Sequence, residues 1–369
     1  MKYQSEFRDA DPIQPLLKRI ADRVSRPWTI MEVCGGQTHT IARYALEELL
    51  PEQIDLIHGP GCPVCVTPLE QIEAAIHLAL QPDTILCTFG DMMRVPGLTG
   101  DLFDARSRSA DVRIITSTLD ALTVAQENPE HDVILFALGF ETTAPTTSIA
   151  IKQSKQLALG NFSVLAAHVR VPPAMELILD SPDCRVDAFL AAGHVCTVTG
   201  TGEYPPIAAR YAVPIVITGF EPLDILLGID AAVTQLEQGR AEVDNRYARA
   251  VQAEGNPIAR SMVDEIFAVT DRAWRGLGVI AQGGLTIRET FAEYDATARF
   301  HWDIGSVREP TDCPAASVLQ GLIRPSQCAQ FGNRCQPEHP LGAPMVSTEG
   351  ACAAYFRYRQ TAGPAGIST

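Results

Sequence analysis

Short apolar runs, each ended by Gly, Pro or a charged residue, recur along the chain from residue 28 onward. Trp28 to Val33, Ile54 to His58, Thr84 to Phe89 and Val112 to Thr116 have the length and composition of buried strands. Between them lie helical patterns, one over Thr38 to Leu50 and one over Pro68 to Leu80. In the latter, Leu69, Ile72, Ala75, Ile76 and Ala79 fall on one helical face. Strands alternating with helices predict a parallel sheet covered by helices, the α/β class.

The pattern then starts again. Val133 to Leu138 is a strand ending at Gly139, and Pro145 opens a helix, where its missing N–H costs nothing. Ser163 to Ala167, Ala188 to Ala192 and Pro214 to Thr218 follow as strands. The phrase Arg113-Ile114-Ile115-Thr116 before Leu119-Asp120-Ala121-Leu122 is matched by Ile215-Val216-Ile217-Thr218 before Leu223-Asp224-Ile225-Leu226. The expectation is two similar tandem α/β domains, at 28–128 and 129–234. A third region, 1–27 with 235–369, holds a helical stretch (Ala241 to Ala253) and a tail rich in Pro, Gly and Cys. Such a tail needs something other than a hydrophobic core to fix it, and a metal centre would serve.

Composition narrows the function. There are 369 residues, with 46% hydrophobic and 20% charged, as in globular proteins. No apolar run is long enough for a membrane span and the N-terminus has no signal region, so a cytoplasmic address is expected. The net charge of −15 argues against nucleic acid as the main partner, since phosphate contacts require clustered basic residues. Ten cysteines in a reducing compartment are not expected to be structural disulfides. Cys87, Cys184 and Cys196 are assigned to packing.

The other seven cysteines carry the chemistry. Cys62-Pro63-Val64-Cys65 lies between a strand and a helix, where free N–H groups favour a thiolate, and this spacing can close a disulfide. Redox or metal handling outweighs half a zinc site or an inert turn. Cys34, in Val33-Cys34-Gly35-Gly36, ends the first strand, and ligands of open α/β sheets bind at carboxyl ends of strands. All three sulfurs are therefore expected at one sheet edge. His39 is either a ligand or proton carrier there, or a structural residue. Cys313, Cys328, Cys335 and Cys352 suit an iron–sulfur cluster or a structural zinc; no two stand closer than seven positions apart, which favours the cluster. Glu141 and Glu221, closing later strands, either cap helices or approach Cys34. Phosphate loops, dinucleotide fingerprints, nucleophile elbows and zinc helices are absent from the sequence.

Met31-Glu32-Val33-Cys34-Gly35-Gly36, His58-Gly59-Pro60-Gly61-Cys62-Pro63-Val64-Cys65 and Phe89-Gly90-Asp91-Met92-Met93-Arg94-Val95-Pro96-Gly97 resemble the HypD family of nickel–iron hydrogenase maturation factors. Gly139-Phe140-Glu141-Thr142-Thr143 and Glu349-Gly350-Ala351-Cys352-Ala353-Ala354-Tyr355 extend the likeness, in order, over about 28–358. The resemblance implies two related α/β domains plus a smaller iron–sulfur cluster domain, and an assembly scaffold with thiol redox activity. It implies the small chaperone HypC as partner and HypE as cyanide donor; charge and hydropathy, as above, predict no nucleic acid or membrane partner. Cys34 would bind an iron carrying cyanide and carbon monoxide, alongside a HypC thiol. Cys62 and Cys65 would be a redox dithiol, and Cys313, Cys328, Cys335 and Cys352 would hold a [4Fe-4S] cluster. This chain departs from many relatives in having Gln37 for His, and Ala315 where the first cluster cysteine often stands, two residues after Cys313. Two other readings compete: a free-standing thiol–disulfide oxidoreductase similar to ferredoxin–thioredoxin reductase, and a zinc-stabilised adaptor.

Overall fold

Each apolar run folds as a strand because its side chains can be buried on both faces of a helix-covered sheet. A computed structural model describes residues 12–302 and 312–359. Eleven strands occur among the described residues: β1 (Trp28–Glu32), β2 (Ile54–His58), β3 (Thr84–Thr88), β4 (Asp111–Ile114), β5 (Asp132–Gly139), β6 (Phe162–His168), β7 (Ala188–Ala192), β8 (Ile215–Thr218), β9 (Val243–Asn245), β10 (Phe267–Trp274) and β11 (Gly278–Ile287). The first nine form two parallel sheets, ordered β2-β1-β7-β8-β9 and β4-β3-β5-β6. Both sheets thus share one order: the second strand outside the first, then the third and fourth on the other side.

Two parallel α/β sheets are as expected, but their membership differs from a division at 128/129. β5 pairs with β3 in the second sheet, and β7 pairs with β1 across more than 150 positions. The chain crosses to the second sheet through the Leu69–Ala79 helix and returns through Val171–Leu179. Alternate residues of each strand serve different cores. Met31, Ile134 and Phe136 face the core between the sheets, whereas Ile30 packs on the outside of the first sheet and Val133 and Leu135 on the outside of the second.

The expected third region is also distributed differently. The Ile13–Arg23 helix packs on the outer face of the first sheet, tied by Arg19 and Arg23 to Asp230. Ala241 to Ala253 is not a helix: Val243–Asn245 pairs with β8 and the chain then turns, its β-branched and Asx residues favouring edge strand and turn. Thr38 to Leu50 is broken at Ala45, which takes a left-handed conformation. β10 and β11 form an antiparallel hairpin whose Phe267, Leu285 and Ile287 close the outer core of the second sheet. Beyond residue 312 only short helical turns precede the Ala351–Arg359 helix. Among the described residues no helix is long and apolar enough to cross a membrane.

Candidate functional site

In each sheet the strand order reverses between two neighbours, and a crevice opens there outside the carboxyl ends. In the first sheet those neighbours are β1 and β7; Cys34 follows one and His194 the other. In the second they are β3 and β5, followed by Phe89-Gly90-Asp91 and Phe140-Glu141-Thr142-Thr143. Both crevices open onto one cleft of about 540 Å3, bordered by Gly61, Asp91, Phe140, Thr143, His194 and Glu349 among others.

Cys34 caps the Gly35–Arg43 helix and is 1% exposed. Its Sγ lies 3.6 Å from His194 Nδ1, so the imidazole stands between the thiol and the cleft that it lines. Burial pushes the Cys34 thiol far up, helped by the negative charges of Glu32 and Glu349. The N–H groups of Gln37 and Gly36 act in the opposite direction and do not prevail. Cys34 is therefore a thiol here. Burial also lowers His194 to about 4, so at neutral pH a thiol faces a neutral imidazole.

The Cys62–Cys65 loop is built against Cys34. The Gly35 N–H donates to the Gly61 carbonyl at 2.7 Å, and the Gly59 N–H to that of Glu32 at 2.8 Å. A Cβ on Gly61 would lie 2.2 Å from the Cys34 nitrogen, so only glycine lets the two loops approach this closely. Cys62 and Cys65 are joined as a disulfide; the remaining cysteines are free. Both members are buried, at 3% and 0% exposure. Cys62 Sγ accepts the Cys65 N–H at 3.2 Å, the contact a helix start provides. The three sulfurs thus share one edge of the first sheet.

Behind Cys34 lies a buried charge network. Glu32 accepts the Cys34 N–H at 2.8 Å and pairs with His58 at 2.6 Å. His58 reaches Glu47 and Tyr355, and Glu47 accepts from Tyr355 and Arg359 of the last helix. Although burial opposes it, bonding to Glu32 and Glu47 raises His58 to about 9. Against burial again, the bond and charge of His58, with Arg359, lower Glu47 to about 2. Gln37 donates to the Ala191 and Thr218 carbonyls, bridging the ends of β7 and β8.

Cys313, Cys328, Cys335 and Cys352 border one small cavity whose other walls include Pro314, Val318, Phe331 and Met345. Burial pushes Cys352 well up, followed by repulsion from the other three. Cys313 rises to about 11 for the same leading reason, against a backbone bond from Ala315. Four thiols that would repel one another as thiolates fit a cationic centre that offsets that repulsion. Cys313 borders the cavity together with Ala315, despite the offset from the family position. The Leu341 N–H donates to Cys335 Sγ at 3.4 Å, and a Cβ on Gly342 would lie 2.4 Å from Cys313 Sγ. The Ala343 carbonyl then stands 3.9 Å from Cys65 Sγ. Three consecutive residues therefore run from the four-cysteine cavity to the disulfide.

His39, a candidate for catalysis, is otherwise engaged: its ring nitrogens meet the Thr348 carbonyl at 3.3 Å and Tyr358 Oη at 3.2 Å, tethering the helix to the tail. Glu141 and Glu221 do not line the cleft. Glu221 starts the Pro222–Glu237 helix, its N–H on Asp224 at 3.3 Å, and Glu141 faces a different cavity. The residue that sequence reasoning missed is His194. Its signal was position alone, immediately after the apolar Ala188–Ala192 run and Gly193, as Cys34 stands after β1.

The HypD family model, described as "Hydrogenase formation hypA family", matches residues 11–359. The chain is 47% identical to the hydrogenase expression/formation protein HupD of Azotobacter chroococcum mcd 1 over 367 residues, 97% of each chain. It is also 47% identical to the hydrogenase maturation factor HypD of Azotobacter vinelandii, again over 97% of each chain. With HypD of Escherichia coli (strain K12) the identity is 44%, over 98% of this chain and 99% of that one.

Proposed function

Because the chain belongs to the HypD family of hydrogenase maturation factors, we propose that it is the cytoplasmic scaffold on which the iron unit of a nickel–iron hydrogenase is assembled. The cargo is an iron ion carrying cyanide and carbon monoxide. Cys34 supplies one thiolate to it and HypC, docked over the cleft, supplies another, with HypE as the source of cyanide. Soft thiolate donors suit such an iron, and a buried position excludes competing ligands.

The observation that carries this reading is the convergence of Cys34, His194 and the Gly61–Cys65 loop at one switch point. When iron takes the sulfur, the Cys34 proton must leave, and His194 Nδ1 is the base within reach. Cys313, Cys328, Cys335 and Cys352 would hold a [4Fe-4S] cluster, which would supply one-electron redox chemistry at this place. Among the described residues no group of three or more His, Cys, Asp or Glu is arranged to hold a single metal ion. The four cysteines stand no closer than seven positions apart, unlike the close ligand pairs of zinc ribbons, and this spacing supports a cluster over zinc. Opening Cys62–Cys65 takes two electrons and two protons and yields two thiols. The Leu341–Ala343 segment lies between the four cysteines and that disulfide.

The burial of both Cys62 and Cys65 disfavours a free-standing disulfide reductase, because exchange with a protein substrate requires an accessible sulfur. Infrared spectroscopy of the complex with HypC, purified without oxygen, tests the proposal. Bands of iron-bound cyanide and carbonyl are expected for the natural chain and should vanish in Cys34→Ala. Bands at full strength in that variant would remove Cys34 from the role.

A further inference from the structure

The carboxyl ends of the first sheet carry one row of side chains, strand by strand. Cys62 follows β2, Cys34 follows β1, His194 follows β7, Phe220 follows β8 and Tyr247 follows β9, in the spatial order β2-β1-β7-β8-β9. The first three belong to the site already described. Phe220, in the Gly219-Phe220-Glu221 phrase, and Tyr247 have no role there, yet their rings continue the row. The Phe220 ring centroid lies 5.2 Å from that of His194, with the planes inclined at 53°, and 6.0 Å from that of Tyr247, edge to face.

The thiol alone would not hold the imidazole in place. A thiol is a weak donor, and the 3.6 Å contact between Cys34 Sγ and Nδ1 is the one hydrogen bond of the His194 ring among the described residues. Packing must do the rest, and Phe220 supplies it. A Cβ on Gly36 would lie 3.0 Å from Phe220 Cδ1 and 3.7 Å from Cys34 Sγ, so the lack of a side chain there lets the ring close against the loop that carries the thiol. Tyr247 is itself fixed. A Cβ on Gly193 would lie 2.5 Å from its Cδ1, and Arg249, bonded to the buried Asp224 at 2.7 Å, sits 4.4 Å from its ring centroid. The row is braced from the β9 end, and His194 at its other end covers a sulfur that is 1% exposed.

We infer that Phe220, backed by Tyr247, is a positioning residue that holds the His194 imidazole over the Cys34 sulfur and so sets access to that sulfur from the cleft. Phe220 does not itself line the cleft, and it acts through His194. What this means for a cargo rests on the reading of Cys34 as its ligand. Access to the sulfur can be measured with no iron present, so the two stand or fall separately.

Full-length protein, purified alone and without oxygen, would be treated in its native state with methyl methanethiosulfonate, a small thiol reagent, and the initial rate at each cysteine read by peptide mass spectrometry. Cys34 should react slowly in the natural chain and on the order of tenfold faster in Phe220→Ala, which removes the ring contact. Cys87, buried in the outer core of the second sheet, should stay unreacted in both and so reports any general loosening. His194→Ala should raise the Cys34 rate at least as much. Adding Phe220→Ala to it should then change nothing further, because two residues acting through one contact are not additive. An unchanged Cys34 rate in Phe220→Ala, or a further rise of the same size in the double variant, would overturn the inference. Where Phe220→Ala also exposes Cys87, Phe220→Leu, which keeps apolar bulk without the flat ring, is read by the same criteria and decides.

Discussion

The Cys34 loop and the four-cysteine segment both present sulfur, but they are held in place by different means. Cys34 follows a central strand; its backbone is fixed by β2 and β7 on either side, by Glu32 below and by Gly61 above. Its geometry is complete without any ligand. The segment from 312 to 359 has only short turns before its last helix, and Cys313, Cys328 and Cys352 are partly exposed. Its cysteines surround a cavity rather than a core. On the proposed function the contrast says where binding energy would go: at Cys34 it would be available for capturing a cargo, whereas in the tail it would be consumed in folding the tail itself.

Three experiments sharpen that contrast, in order of expected effect. If the tail is held by the proposed cluster, Cys335→Ser should destabilise it by several kcal/mol, on the order of 5, through loss of that centre. Hydrogen exchange would show this as lost protection over 312–359, with the two sheets little changed. Equal protection in the variant would mean that the tail folds by its own packing.

The next experiment concerns the network that joins the two regions through Tyr355 and Arg359. His58→Asn should cost about 3 kcal/mol near pH 6, since it leaves Glu32 and Glu47 as buried charges without their shared cation. The pH dependence has a definite sign. His58 is raised from 6.5 to about 9, so its stabilisation is full below 6.5 and lost as pH rises through 9. Glu47 is lowered from 4.5 to about 2, so its share is full above 4.5 and lost as pH falls through 2. Melting of the natural chain and the variant should differ most between about pH 4.5 and 6.5. A difference that grows above pH 9 would contradict the assignment.

The smallest effect is expected at His39. His39→Ala should cost about 1 kcal/mol, by releasing the Thr348 and Tyr358 contacts, and leave the cyanide and carbonyl bands in place. Loss of the bands with an unchanged melting curve would return His39 to the site.

The strands of the two sheets were legible because each is an uninterrupted apolar run with a Gly, Pro or charged boundary; β2 and β7 lie at the expected residues. Sheet membership was not legible. β1 and β7 are both apolar, and nothing local tells either that the other is its neighbour. The β10–β11 hairpin escaped notice because Gly278, Gly283, Gly284 and Arg272 dilute its alternation. At the site, cysteines announce themselves by chemistry, so Cys34, Cys62 and Cys65 could be placed from sequence. His194 could not, because a single histidine gains meaning only from the strand beside it.

The central claim is that the two sulfur regions act as one unit through Leu341–Ala343. Anaerobic protein would be reduced with dithionite, quenched with a thiol-alkylating reagent under denaturing conditions, and analysed by mass spectrometry for Cys62 and Cys65. The prediction is that both are alkylated in the natural chain and remain joined in Cys335→Ser, which lacks one of the four cysteines proposed to hold the cluster. Equal opening of the disulfide in both proteins would contradict it.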